Sequence, residues 1–84
     1  MTVSSGYNVV KKEILEILYE LGEATAEDIA DMTDRSYESV AMALLRYHRQ
    51  GLLYRYTLEG RTKVYEINDR GLERLRYLRS QLND

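Results

Sequence analysis

The chain has 84 residues, 44% of them hydrophobic and 31% charged, a balance that suits a compact domain and argues against disorder. It contains no cysteine, which excludes disulfides, thiol catalysis and thiolate metal sites. No apolar run approaches the ~20 residues of a membrane span and the N-terminus lacks a signal-peptide core, so one domain, residues 1–84, in an intracellular, cytoplasmic setting is expected. The formal net charge is −2, unevenly spread. Residues 1–34 set two lysines against eight carboxylates, a balance of −6, whereas residues 35–84 set ten basic side chains against six acids, a balance of +4. A local excess of positive charge is the footprint that a nucleic acid requires, so the second half is where to look for one.

Residues 1–8 read as a flexible tail. The first helix is predicted over 9–21, with Asn8 as N-cap and Gly22 just past its end. Val10, Ile14, Ile17, Leu18 and Leu21 follow helical spacing and form its core stripe, leaving Leu15 and Tyr19 on the opposite side. A short second helix is predicted over 26–32. Thr25 and Asp28 have the spacing of a capping box, and Ile29 and Met32 can face inward. "TDR" (33–35) makes a tight turn in which Asp34 tolerates unusual backbone angles. The third helix starts at Ser36 and stops at Gly51; Val40, Ala43, Leu44 and Tyr47 share one face, Glu38, Met42, Leu45, Arg46 and Arg49 the other.

"LLYRYTL" (52–58) and "TKVYEI" (62–67) read as strands joined by the glycine turn "EGR" (59–61). Alternation sets Tyr54, Tyr56 and Leu58 on one face, expected to pack, and Arg55 and Thr57 on the other, expected to be wet. Asn68 then caps a last helix over 69–82, striped by Leu72, Leu75, Leu78 and Leu82. The second and third helices are separated by the three or four residues of a helix-turn-helix.

In this order and spacing, "TAEDIADMTDRSYESVAMALLRYHRQGLL" resembles the helix-turn-helix of winged-helix transcription regulators of the MarR, ArsR and PadR type. The matching positions are the Ile29–Ala30 pair, Val40 and Leu44 four apart, the Gly51–Leu52 pair, and Tyr65, Ile67, Asn68 and Gly71 after the hairpin. The resemblance spans residues 9–82. It implies an α+β, mostly α fold: a winged helix-turn-helix with a three-helix core, a two-stranded β wing and a C-terminal helix. Two departures stand out. Arg35 occupies a position that is usually apolar in such proteins, and the third helix is poorer than usual in base-reading side chains.

The resemblance also implies a site on double-stranded DNA. The recognition helix, 36–50, would enter the major groove with Ser36, Tyr37, Glu38 and Ser39 nearest the bases and Met42, Arg46 and Arg49 further along. Arg46 suits a guanine edge or a phosphate, Glu38 a cytosine amine, and Met42 or Tyr37 a thymine methyl. Tyr37 could equally pack beneath the second helix, and Arg46 and Arg49 could form a solvated face. The wing, 53–67, would place Arg61, Lys63 and Arg55 on backbone or minor groove. Asp28 and Asp31, on a helix that approaches phosphates in such proteins, count against affinity. Leu15, Tyr19, Tyr77, Leu78 and Leu82 would form a homodimer face presenting two recognition helices to two half-sites. The alternative is a protein-docking winged helix that uses Met42 and Leu45 on the outer face of the third helix.

Nothing in the chain points to an enzyme, a cofactor, a metal or a small-molecule ligand. His48 is a lone histidine without a second ligand at metal spacing, no glycine loop could cradle a phosphate, and the eight tyrosines are spread over the elements as core aromatics usually are.

Overall fold

A computed structural model describes residues 5–82. Its elements run α1 (Ser5–Leu21), α2 (Ala26–Met32), α3 (Tyr37–Arg49), β1 (Leu53–Leu58), β2 (Thr62–Ile67) and α4 (Asp69–Leu82). The strands pair antiparallel in the register Leu53↔Ile67 to Leu58↔Thr62. A single-residue bridge adds to them: Ala24 N donates to Tyr65 O at 3.0 Å and Tyr65 N to Ala24 O at 2.9 Å. The wing therefore has a short third rung, which ties its second strand to the segment between α1 and α2.

α1 departs most from expectation. It starts at Ser5, so Asn8 lies inside the helix rather than capping it, and residues 5–8 are helical rather than a tail; residues 1–4 lie outside the described residues. A tertiary contact supports the extra turn, since Gln50 Nε2 at the far end of α3 donates to the Tyr7 hydroxyl at 3.2 Å. The buried arc of α1 is also wider than one stripe. Ile14, Leu15 and Leu18 are all fully buried, Val10 and Ile17 are half-buried, and Leu21 is exposed. α4 packs on one side of α1 and β2 on another, so two neighbouring faces are covered. Leu15 is thereby enclosed in the chain's own core and is not available as a self-association residue.

α2 starts with the capping box that its sequence predicts. Thr25 Oγ1 accepts from Asp28 N at 3.0 Å, and the Asp28 carboxylate accepts from Thr25 N at 3.1 Å. Ile29 is buried, but Met32 is exposed, contrary to expectation. The chain turns away at Thr33, whose hydroxyl donates to Ile29 O at 3.1 Å. Asp34 needs no left-handed backbone, because Glu59 alone among the described non-glycine residues has positive φ. The Arg35 guanidinium reaches Glu13 on α1 at 2.9 Å. An apolar anchor beneath the turn is replaced here by an ion pair at its edge.

α3 is capped by Ser36, whose hydroxyl accepts from Ser39 N at 3.1 Å. Its inner face, Val40, Ala43, Leu44 and Tyr47, is buried as the spacing requires, and burial pushes the Tyr47 phenol up to about 12. On β1 neither face is packed along its length; only Leu53 is buried, while Tyr54, Tyr56 and Leu58 are exposed. Burial falls off from base to tip, because α3 and α4 meet the sheet only at its lower end, around Leu53, Val64, Tyr65 and Ile67. Tyr56 is held instead by donating its hydroxyl to Glu23, a bond that pushes its phenol up to about 12.

α4 begins with Asn68, whose Oδ1 accepts from Gly71 N at 2.8 Å while its Nδ2 donates to Gly51 O at 3.0 Å. Leu75 and Leu78 are buried, and Leu72 and Leu82 are half-buried. Leu78 thus belongs to the internal core and, like Leu15, offers nothing to a partner. Gly71 lies against the hairpin base so closely that an added Cβ would fall 2.3 Å from Leu52 O and 2.5 Å from Ile67 Cγ1. Backbone cannot yield as a flexible side chain can, so Gly71→Ala is expected to lower unfolding free energy by about 1–3 kcal/mol, the range for overpacking a tight contact. Urea denaturation of the two proteins checks this; equal midpoints would show that the contact relaxes freely.

Candidate nucleic-acid interface

The outward side of α3 divides into a crest and two flanks. Residues eleven apart on a helix nearly eclipse one another, so Glu38 and Arg49 lie in one line, with Met42 beside it. All three are exposed, Met42 at 65%. Ser36 and Ser39 sit exposed at the helix start, where Ser36 serves as cap and Ser39 supplies the capped N–H. Tyr37 is 58% exposed, so it points outward and does not pack beneath α2.

The flank facing the wing carries Tyr37, Ala41 and Leu45 at successive four-residue steps. With Arg55, Arg61 and Lys63 across from them they line a cleft of ≈ 370 Å³. Arg55, Thr57, Lys63 and Tyr65 share the sheet face that looks into this cleft, since Arg55 pairs with Tyr65 and Thr57 with Lys63. Arg55 Nε donates to the Tyr65 hydroxyl at 3.0 Å and Lys63 Nζ to Thr57 Oγ1 at 2.8 Å. Both cations are thus held along the wing while remaining exposed. Arg61 stands at the turn. The wing-side cleft is consequently cationic on its sheet wall and mostly apolar on its helix wall, with Glu27 as its acid.

The other flank faces the first turns of α1. A shallow hollow of ≈ 270 Å³ lies there, lined by Tyr7, Val10, Ser39, Met42, Arg46 and Tyr47 among others. The Arg46 guanidinium carbon is 5.7 Å from the centre of the Tyr7 ring, close enough for a cation–π contact. Hydrogen bonding from Gln50 lowers the Tyr7 phenol below its ordinary value, against the opposing effect of burial, and Lys11 and Arg46 lower it further. Sequence reasoning did not assign Tyr7 or Lys11 to this region, because the helix was expected to begin after Tyr7.

The sequence-predicted residues of α3 lie along its outward side and the wing cations face one flank of it, but Met42 and Leu45, three residues apart on either side of the crest, border different hollows. Leu45 is half-buried in the wing-side cleft, and Met42 borders the hollow on the opposite flank. The proposed self-association residues are not gathered either. Tyr19, exposed, lies with Leu72, Arg76 and Arg79, whereas Tyr77, also exposed, borders a separate cleft with Leu52, Arg70 and Arg74. Among the described residues, no cluster of histidine or acidic side chains could hold a metal ion, and no helix is long and apolar enough to cross a membrane.

This arrangement of a helix-turn-helix, a β wing and a C-terminal helix is a winged helix. Two solved structures share it. The YusO protein from Bacillus subtilis superimposes with a TM-score of 0.77 at 15% identity, over 83% of this chain and 51% of that one. A MepR-like protein complexed with pseudoligands gives 0.74 at 21% identity, again over 83% of this chain and 51% of that one. The chain thus spans about half the length of these structural relatives. No family model and no curated protein sequence matches it.

The wing turn carries a testable local strain. Arg61 N donates to Leu58 O at 3.2 Å, with φ of 49° at Glu59 and 84° at Gly60, the positive pair of a type I′ turn. Gly60 suits that conformation and Glu59 does not, whereas Asn-Gly is the preferred pair. Glu59→Asn is expected to raise stability by roughly 0.5–1 kcal/mol. Thermal melting gives the answer, and a lower melting temperature would contradict this account of the turn.

Proposed function

We propose that this chain is a sequence-specific double-stranded DNA-binding protein, a small transcriptional regulator of the cytoplasm that inserts α3 in the major groove. What most supports the reading is the facing pair of surfaces: the exposed polar start of α3 and a wing whose Arg55, Arg61 and Lys63 line the cleft beside it. The fold shared with YusO and the MepR-like protein adds to it. In this reading Ser36, Tyr37, Glu38, Ser39, Met42, Arg46 and Arg49 face the groove, and the wing cations lie against the phosphate backbone or minor groove. One well-placed bidentate base contact discriminates by ~1–3 kcal/mol, so a helix with few polar readers can still prefer a sequence. Asp28 counts against affinity, since the Thr25 N–H that its carboxylate accepts in the α2 cap orients it without removing its charge.

The titration of random-sequence duplex DNA across a salt series tests this. Three to five phosphate contacts per protomer give a log–log slope of about −3 to −5, at roughly −0.9 for each. Arg46→Ala/Arg61→Ala is expected to weaken binding and flatten that slope. No binding at low salt would refute the reading and favour the rival one, a protein-docking winged helix, for which the exposed Met42 and Tyr37 are the supporting observation.

The reading includes a homodimer, so that two α3 helices meet two half-sites. With Leu15 and Leu78 committed to the core, its support narrows to exposed Tyr19 and Tyr77 and half-buried Leu82. Sedimentation velocity is expected to show a dimer that Tyr19→Glu/Tyr77→Glu dissociates; a wild-type monomer at all concentrations would remove the two-half-site geometry.

A further inference from the structure

Lys11 is only 3% exposed, the one charged residue buried among those described. Charged side chains are almost never fully buried without an opposite charge, because removal from water disfavours the ionised form. Among the described residues Lys11 has no carboxylate partner. The ion pairs among the described residues are Lys12–Glu16, Arg35–Glu13 and Arg79–Glu16. Its Nζ donates instead to the neutral Gln50 Oε1 at 2.6 Å and lies 5.5 Å and 5.3 Å from the centres of the Tyr7 and Tyr47 rings. An amide oxygen and two π faces favour an ammonium but leave its charge uncompensated. Burial lowers the affinity of this amine for its proton; Tyr7 opposes that effect, and Arg74 and Arg46 add to it. Lys11, Arg46 and Arg74 are therefore near enough to act on one another.

An isolated buried cation gains little for the fold, since an apolar side chain of similar volume packs as well without the desolvation cost. Its placement is informative. Arg46 borders the hollow on the α1 side of α3, over the Tyr7 ring, and the Lys11 ammonium is within 5.5 Å of the centre of the same ring. Gln50 joins them, accepting from Lys11 and donating to the Tyr7 hydroxyl. An anion in the hollow would meet the Arg46 guanidinium directly and the field of Lys11 through poorly polarisable protein, where a charge acts more strongly than through water.

We propose that the Tyr7–Lys11–Arg46–Gln50 cluster is a binding site for a backbone phosphate of duplex DNA, on the flank of α3 opposite the wing. Arg46 contacts the phosphate rather than a base. Lys11 is a positioning residue that supplies buried countercharge and, through Gln50, holds the Tyr7 ring beneath Arg46. The groove-inserted helix is then gripped on both sides, by the wing on one and this cluster on the other. The inference rests on the DNA-binding reading and adds to it a second backbone contact that requires the first turns of α1.

The test is the duplex titration over a salt series, run on wild type, Lys11→Met and Gln50→Glu, with a thermal melt of each. Lys11→Met is expected to melt at or above wild type while binding DNA up to about eightfold more weakly at ~0.1 M salt, the value for one released counterion, with a shallower salt slope. Gln50→Glu keeps the side-chain shape and gives Lys11 a carboxylate, so it reports on the charge even if Lys11→Met fails to fold. It is expected to melt no lower than wild type and to weaken binding comparably. If wild type binds with the expected slope and the folded variants match it in affinity and slope, Lys11 is merely structural and the phosphate site is wrong while the DNA reading stands. If wild type does not bind duplex DNA at all, both fall together. Arg46→Ala adds a direct check: equal loss on all sequences supports a phosphate contact, and loss confined to one base preference would overturn it.

Discussion

The relation between α3 and the wing depends on the junction where α3, both strands and α4 meet. Asn68 N donates to Leu52 O at 3.1 Å, its side chain donates to Gly51 O, and it also accepts from Gly71 N. One residue thus satisfies the end of α3, closes the base of the hairpin and caps α4. The absence of a Cβ at Gly71 lets α4 approach the Leu52 carbonyl closely enough for all three to coexist. Leu53 and Tyr65 are buried in the core next to this junction and anchor the base of both strands. Beyond that base the wing has almost no packing, so its direction is inherited from the junction and from the Ala24–Tyr65 bridge.

The second constraint is electrostatic. A chain of net charge −2 offers a positive surface only where its cations stand apart from its acids. Several are engaged within the fold: Glu13 by Arg35, Glu16 by Lys12 and Arg79, Glu23 by the Tyr56 hydroxyl, and Asp28 by the α2 cap. At Glu16 burial acts to raise the carboxyl, yet the hydrogen bonds from Arg79 and Lys12 outweigh it and hold it below its ordinary value. Exposed pairs of this kind contribute little to stability. Their larger effect is on the field, because they largely cancel charge near α1 and the Glu13–Arg35 turn while Arg46, Arg55, Arg61 and Lys63 stay outside those pairs.

How much of this was legible in the sequence follows from how local each signal is. The α2 box, the Ser36 cap, the strand pair and Asn68 depend on neighbours a few residues apart, and the structure reproduces them. The faces of α1 do not. Leu15 and Leu21 can be assigned to core or surface only by knowing that α4 and β2 cover adjacent sides of that helix. Met32 was lost to a turn that begins one residue later, and the exposure of Tyr54 and Tyr56 to a sheet that is covered at one end alone. The Tyr7–Lys11 pair had a visible signal in its spacing of four, but the meaning of a lysine on an apolar stripe is set by Gln50, 39 residues on.

The same geometry weighs the two surfaces of α3 against each other. A protein-docking face needs contiguous apolar area, and single exposed hydrophobic side chains are ordinary on any soluble domain. Met42 and Leu45, three residues apart on either side of the crest, are neighbours, but Leu45 is already half-covered in the wing-side cleft, which leaves Met42 as the main exposed apolar side chain there. Each flank instead joins one stretch of α3 to cations held by aromatic side chains, Arg55 on Tyr65 and Arg46 on Tyr7. Such stacking limits the swing of a long guanidinium side chain before any partner arrives, so less ordering remains to be done on binding. On the DNA-binding reading proposed above, two restrained arginines on either side of an exposed helix suit a rigid anionic ridge on each side of a groove.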